Sequence, residues 1–150
     1  MTLSTAPQRY WDDVEEGEAL TAQEFPLSVY RLVVAAGANR DFNAIHHNTE
    51  YAQSTGAPDM YANTLFLQGM WEKTVRNYIG LAGQLHQLKG FRMGIFNTAG
   101  DTVTVKGEVT RKWRDGDRCY VEIKMWSENS KGISVGPGTV LASIPPRPQQ

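Results

Sequence analysis

Residues 63–78 read NTLFLQGMWEKTVRNY. At helical spacing Leu67, Trp71, Val75 and Tyr78 fall on one face, while Gln68, Glu72, Lys73, Arg76 and Asn77 fall on another. This is an amphipathic helix about four turns long, and its apolar face needs a sheet to lie against. The sheet is expected downstream. Phe91, Met93 and Ile95 alternate, as do Val103, Val105 and Val109, and again Val121, Ile123 and Met125. Period two is the signature of strands buried on one side. Gly100-Asp101, Asp115-Gly116 and Lys131-Gly132 punctuate these runs as turns. A further strand over 133–144 carries Gly136-Pro137-Gly138, which predicts a bulge or an edge position. A helix-rich first half followed by a strand meander makes an α+β domain.

Upstream of the long helix, Ser28 is a good N-cap for a helix carrying Leu32, Val33 and Ala36, with Gly37 at its end. An extended stretch at 23–27 precedes it. A loop covers 39–48, and Asn48 or Thr49 caps a short helix through Ser54 that Gly56-Ala57-Pro58 stops. Residues 1–9 are small and polar, and 144–150 read IPPRPQQ, too rich in proline for helix or central strand. The expectation is one domain over 1–150, ordered from about residue 10 to residue 144.

Composition narrows the function classes. With 150 residues, 41% of them apolar and 21% charged, the chain can bury a real core and is not of the disordered class. A net charge of -1 gives no field to draw the whole molecule to nucleic acid. The single cysteine, Cys119, precludes an internal disulfide and a cysteine metal cluster, and with only His46, His47 and His86 beside it no metal site is expected. Met1 to Gln8 lacks the basic-then-apolar pattern of a signal peptide, and no apolar run is long enough to span a bilayer. The expected location is the cytoplasm, away from membranes.

The segment with chemical potential is 39–48, NRDFNAIHHN. Asp41, Asn43, His46 and His47 crowd one short loop between helices, and loops on rigid scaffolds are where catalytic groups sit. A carboxylate beside an imidazole can hold one water from two sides, taking one proton and giving another. An asparagine offers both donor and acceptor to fix an orientation. Spacing alone equally fits a turn in which Asp41 and Asn43 cap backbone groups and the histidines are solvated.

The order and spacing Asp41-Phe42-Asn43-Ala44-Ile45-His46 resemble the D-x-N-x-x-H motif of the MaoC-like, (R)-specific enoyl-CoA hydratases/dehydratases. YWDDVEEGEAL (10–20) resembles the entry strand of that family, EYAQSTGA (50–57) its short helix after the motif, and residues 61–70 the start of its central helix. The resemblance runs from Tyr10 to Ile144. It implies a single hotdog fold, an antiparallel sheet wrapped around a long central helix. It also implies addition of water to a trans-2-enoyl-CoA to give a 3-hydroxyacyl-CoA, or the reverse. Asp41 and His46 would be catalytic and Asn43 supporting, with no metal or cofactor beyond the coenzyme A of the substrate. NRDFNAIHHN, APDMYANTLFLQGM (57–70) and GDTVTVKGEVT (100–110) together are similar to the small single-hotdog MaoC-like chains of actinobacterial steroid side-chain degradation. There such a chain supplies the catalytic loop, and a second MaoC-like chain completes the enzyme.

One stretch departs from the family pattern. The usual hydratases begin the central helix with an Ala-His-Gly-Met type segment, and here it reads Tyr61-Ala62-Asn63-Thr64. The glycine whose backbone N–H polarises the thioester carbonyl corresponds to Asn63. A backbone donor survives a change of side chain, and a helix N-terminus favours developing negative charge; the larger residue bears on acyl-chain fit.

Other residues read as structural. His47 lies one place off the motif, and His86 belongs to the surface near a strand start. Trp71 and Tyr78 belong to the core, and Trp113 and Trp126 to cross-strand packing beside the Asp115-Gly116 turn. Cys119 alternates with Val121 and Ile123 and is expected buried and inert. Lys89, Arg92, Arg111, Lys112 and Arg114 are available to coenzyme A phosphates without any one standing out. An exposed sheet edge and an open pocket predict a dimer, with itself or with a second MaoC-like chain. Two other classes fit a hotdog chain: an acyl-CoA thioesterase, and a non-catalytic subunit of a heteromeric hydratase.

Overall fold

The computed structural model describes residues 7–149. Most of the Met1–Gln8 segment, read above for signal-peptide features, lies outside them. Strands β1 (Gln23–Pro26), β2 (Gln84–Lys89), β3 (Thr102–Asp115), β4 (Arg118–Asn129) and β5 (Gly132–Ser143) form one antiparallel sheet in the order β1-β3-β4-β5-β2. Helices α1 (Val29–Ala38), α2 (Thr49–Ser54) and α3 (Thr64–Ile79) fall before β2 in the chain.

Each helix begins where a side-chain oxygen accepts a backbone N–H of the first turn. Ser28 takes that of Arg31, Asn48 that of Tyr51 and Asn63 that of Phe66. These bonds satisfy donors that the helix itself leaves free. From Val103 to Val109 of β3 and from Cys119 to Ser127 of β4 every second residue is buried, as strand geometry dictates. Val103, Val105, Val109, Val121, Ile123 and Met125 from these strands join Leu67, Met70, Trp71, Val75 and Ile79 of α3 in one core. Each such side chain contributes about 1.5–3 kcal/mol on burial. The indole N–H of Trp71 donates to Ser127 Oγ at 2.7 Å, so the largest core side chain leaves no polar atom stranded. At the other end of α3, the Tyr78 hydroxyl donates to Glu18. Burial, then that carboxylate, pushes its pKa up.

Two expectations change, and one resolves between its alternatives. The strand read over 91–95 is not a strand. The edge strand is β2, and beyond Gly90, at φ +67°, the chain leaves the sheet; Gly94 and Ile95 donate backbone N–H to Ser134 O, and Met93 makes an isolated bridge to Val135. Of the alternating apolar residues of 91–95, Phe91 packs on Trp71 at the edge of the core, while Met93 and Ile95 line a cleft. The segment over 10–20, likened to an entry strand, holds a 3-10 turn at Trp11–Asp13 and one bridge, Ala19 to Glu108. Of the two readings of Gly136-Pro137-Gly138, a bulge or an edge, the bulge holds. β5 lies between β4 and β2, and its register shifts beside Met125 and Ser127. Trp113 packs on Tyr120, its cross-strand partner, with ring centroids 5.4 Å apart, whereas Trp126 lies opposite Lys106.

Candidate active site

Asp41 is positioned by the way α1 ends. The N–H of Asp41 bonds Ala36 O at 2.9 Å and the N–H of Arg40 bonds Gly37 O at 3.1 Å. This is the Schellman pattern, in which the residue after the cap takes the left-handed conformation. That residue is Arg40, at φ +56°, where glycine is the easy choice. Gly37, the expected terminator, lies inside the helix.

The following turn brings His46 back. Asp41 Oδ1 accepts from the N–H of Asn43, and Asn43 Oδ1 accepts from the N–H of Ile45, capping a 3-10 turn at Ala44–His46. Asn43 thus serves the shape of the loop. His46 is 5% exposed. Its Nδ1 lies 2.7 Å from Tyr61 O. A carbonyl can only accept, so Nδ1 carries a proton and Nε2 is the nitrogen left for chemistry. Nε2 lies 3.0 Å from Asp41 Oδ2. That is hydrogen-bond distance, close enough for the two groups to exchange a proton. The side chain of Asp41 remains 37% exposed against 6% for His46, so the pair opens outward through the carboxylate.

The start of α3 is stitched to this loop. The N–H of Tyr61 donates to Ile45 O at 3.3 Å, and Asn39 Nδ2 donates to Asn63 Oδ1 at 3.3 Å. Asn63 is the N-cap of α3 and is 3% exposed. Next to it runs a cleft of about 250 Å³ lined by Tyr61, Ala62, Leu67 and the 93–97 segment. Neither this cleft nor a larger depression of about 570 Å³, lined by residues of α3 from Gly69 to Ile79 and by Leu85, has Asp41 or His46 in its wall; the cleft meets the pair's surroundings through Tyr61, whose carbonyl holds His46.

The remaining sequence candidates stay apart from the site. His47 is exposed, with only a 3.5 Å approach to Phe42 O; His86 is exposed on β2 against Ser143 Oγ; Cys119 is buried. Among the described residues no three His, Cys, Asp or Glu side chains group to hold a metal ion. Among those residues, too, no helix is long and apolar enough to cross a membrane. The roles of Asn39 and of the Tyr61 carbonyl were not read from sequence. A backbone acceptor has no side-chain signature, and an asparagine at a helix end reads as a cap.

Among known proteins, the chain is 33% identical over 104 residues to the 3-oxo-4,17-pregnadiene-20-carboxyl-CoA hydratase beta subunit of Mycobacterium tuberculosis, covering 69% of this chain and 77% of that one. The chain belongs to the MaoC-like enoyl-CoA hydratase/dehydratase family. It is a hydro-lyase of hotdog fold. A chain in the crystal structure of the ChsH1-ChsH2 complex from Mycobacterium tuberculosis superposes on this MaoC-like chain with a TM-score of 0.78 at 30% identity, over 87% of this chain and 98% of that one. The (R)-hydratase from A. caviae involved in PHA biosynthesis shares the fold, with a TM-score of 0.79 at 17% identity over 89% and 98% of the two chains. No family model matches the chain.

Proposed function

We propose that this chain is the catalytic member of a two-chain hydratase for a bulky, steroid-like 2-enoyl-CoA, with Asp41 and His46 as its acid–base pair. The 3.0 Å contact between Asp41 Oδ2 and His46 Nε2, with Nδ1 held by Tyr61 O, carries this reading. The thioester makes the β-carbon of the enoyl group electrophilic. Water bound at the pair attacks that carbon and gives one proton to the pair. The π electrons move onto the carbonyl oxygen as an enolate, and the pair returns a proton to the α-carbon. One proton is taken and one is given, so the two residues act as a unit. Asn43 supports the loop. The backbone N–H of Asn63, at the positive end of α3, is the donor for the enolate oxygen.

The reaction is redox-neutral and needs no cofactor; coenzyme A enters as part of the substrate. The bulky acyl group and the second MaoC-like chain are suggested by the hydratase subunit and the two-chain complex to which the chain is similar. The second chain also accords with the size of the cleft, since small-molecule sites run to about 300–1,000 Å³ and this chain alone offers about 250 Å³. The cytoplasm, where acyl-CoA is found, is the proposed location.

The test is a product assay on the chain alone and on the chain assembled with a second MaoC-like chain, using a short and a steroid enoyl-CoA. Loss of enoyl absorbance without thiol release is the expected result, strongest for the assembled pair on the bulky substrate. Thiol release would make the protein a thioesterase, and activity indifferent to Asp41 would make it a non-catalytic subunit.

A further inference from the structure

Two asparagines near the pair do more than cap. The Oδ1 of Asn63 accepts two bonds, from the N–H of Phe66 at 2.9 Å and from Asn39 Nδ2 at 3.3 Å. Its Nδ2 is buried and has no partner among the described residues. A buried, unsatisfied donor is destabilising and rare. Capping alone does not call for it, because serine or threonine caps a helix about as well and a hydroxyl rotates to find a partner. Their single oxygen sits closer to the backbone and is spoken for by the cap. Aspartate would take both bonds, but it would set a negative charge at the helix end where the enolate forms. Asparagine is the cap that holds Asn39 as well and stays neutral.

We propose that Asn39 and Asn63 form a neutral clamp that holds the Asp41–His46 pair in register with the start of α3, and that Asn39 is thereby a positioning residue for hydration. Asn39 is the C-cap of α1, two residues before Asp41, and the bonds of Arg40 and Asp41 to Gly37 and Ala36 make that tract rigid. On the other side Tyr61, two residues before Asn63, holds His46. The links Asp41–His46, His46–Tyr61 and Asn39–Asn63 therefore close a ring through the backbone. With the clamp open, Asp41 still meets His46, but the pair is free to drift from the helix end. Rate is sensitive to displacements of that kind, while binding of the thioester is much less so.

The inference rests on the function proposed above, and the experiment separates the two. N39A, N63S, the double variant and D41N are compared with wild type in the assembled enzyme by steady-state kinetics and thermal melting. N39A is expected to lower kcat about tenfold or more with KM within roughly twofold. N63S, which keeps a cap but releases Asn39, should do the same. The double variant should be no slower than the slower single, because both break one link. If N39A does not fold, N39S carries the comparison, since its side chain is too short to reach Asn63. Wild-type kcat in folded N39A or N39S, or losses that simply multiply in the double variant, overturns the clamp. A slow D41N beside a fast N39A overturns the clamp alone; a D41N as fast as wild type overturns the functional reading itself.

Discussion

The carbonyl oxygen of Tyr61 lies 2.7 Å from His46 Nδ1, and this backbone contact selects the nitrogen that faces Asp41. Rotating the ring or exchanging its tautomer would break the bond and leave a buried polar atom unsatisfied. The imidazole is therefore set for proton exchange through Nε2.

Removing either half of the pair should stop that exchange. D41N keeps the shape and can still donate to Nε2, yet an amide cannot accept the proton of water. D41N and H46A should each lower the hydration rate by about 10²–10⁴, with circular dichroism unchanged for D41N. The double variant should be little slower than either single, as for residues acting as a unit. Near-wild-type turnover in either single variant would remove the pair from the mechanism.

The donor to the enolate can be located by proline. Asn63 has φ -76° and ψ 160°, the extended conformation favoured before proline, and Thr64 is the first residue of α3, where proline is tolerated. T64P should fold and keep its rate within several-fold if Asn63 supplies the N–H. A folded but slow T64P would move that role to Thr64.

Arg40 holds a left-handed conformation that disfavours side chains. R40G should relieve it and raise unfolding free energy by about 0.5–1 kcal/mol, whereas R40A, which keeps a Cβ, should not. Denaturant titration of the two variants makes the comparison, and equal midpoints would show that no strain resides there.

Asp101 joins the start of β3 to the β4–β5 turn through the backbone N–H of Thr102 and the N–H and hydroxyl of Ser130. Burial works against its charge, but the hydrogen bonds of Ser130 and Thr102 and the nearby Lys131 prevail and hold its carboxyl below the usual range. A depressed folded pKa means a contribution present above the unfolded value, near about 4, and lost as pH falls through the folded one. D101N should cost about 1 kcal/mol at neutral pH, and the difference from wild type should shrink in acid. A gap that stays constant down to low pH would contradict this.

Assembly should be visible in mass. Val29, Tyr30, Val33 and Val34 expose apolar surface on α1, Phe42 does so beside Asp41 and Leu65 at the start of α3. A helix apolar on nearly all sides is normally covered. Light scattering should report a dimer or a complex with a second MaoC-like chain, and a fully active monomer would overturn this.

Much of the architecture was legible because it is written in side chains. Ser28, Asn48 and Asn63 signal helix starts through their own oxygens, and the valines of β3 and the Val121–Met125 run of β4 alternate because one face is buried. β2 was missed. Its residues, QLHQLK, lie at an edge with a register shift after Leu85, so no clean alternation survives. The apolar residues of 91–95 carried a strand pattern for another reason, since Phe91 packs on Trp71 and Met93 and Ile95 face a cleft. Asp41, Asn43 and His46 were singled out by their order, and the fold brings Asp41 against His46 while Asn43 caps the turn between them. Arg40 in a glycine conformation and the partnership of Asn39 with Asn63 depend on where two helix ends meet, which local sequence does not encode.

The departure of 91–97 from the sheet also bears on how such a protein can diversify. The cleft wall hangs on a few backbone bonds to β5, among them those of Gly94 and Ile95 to Ser134 and of Gly136 to Arg92, and meets the sheet only in the isolated bridge of Met93 to Val135. The reacting groups belong to a different stretch of chain. On the function proposed above, substrate choice and chemistry are separately heritable: point changes at Met93, Ile95 or Phe96 would reshape the cleft while the scaffold and the loop carrying Asp41 and His46 pass on unaltered.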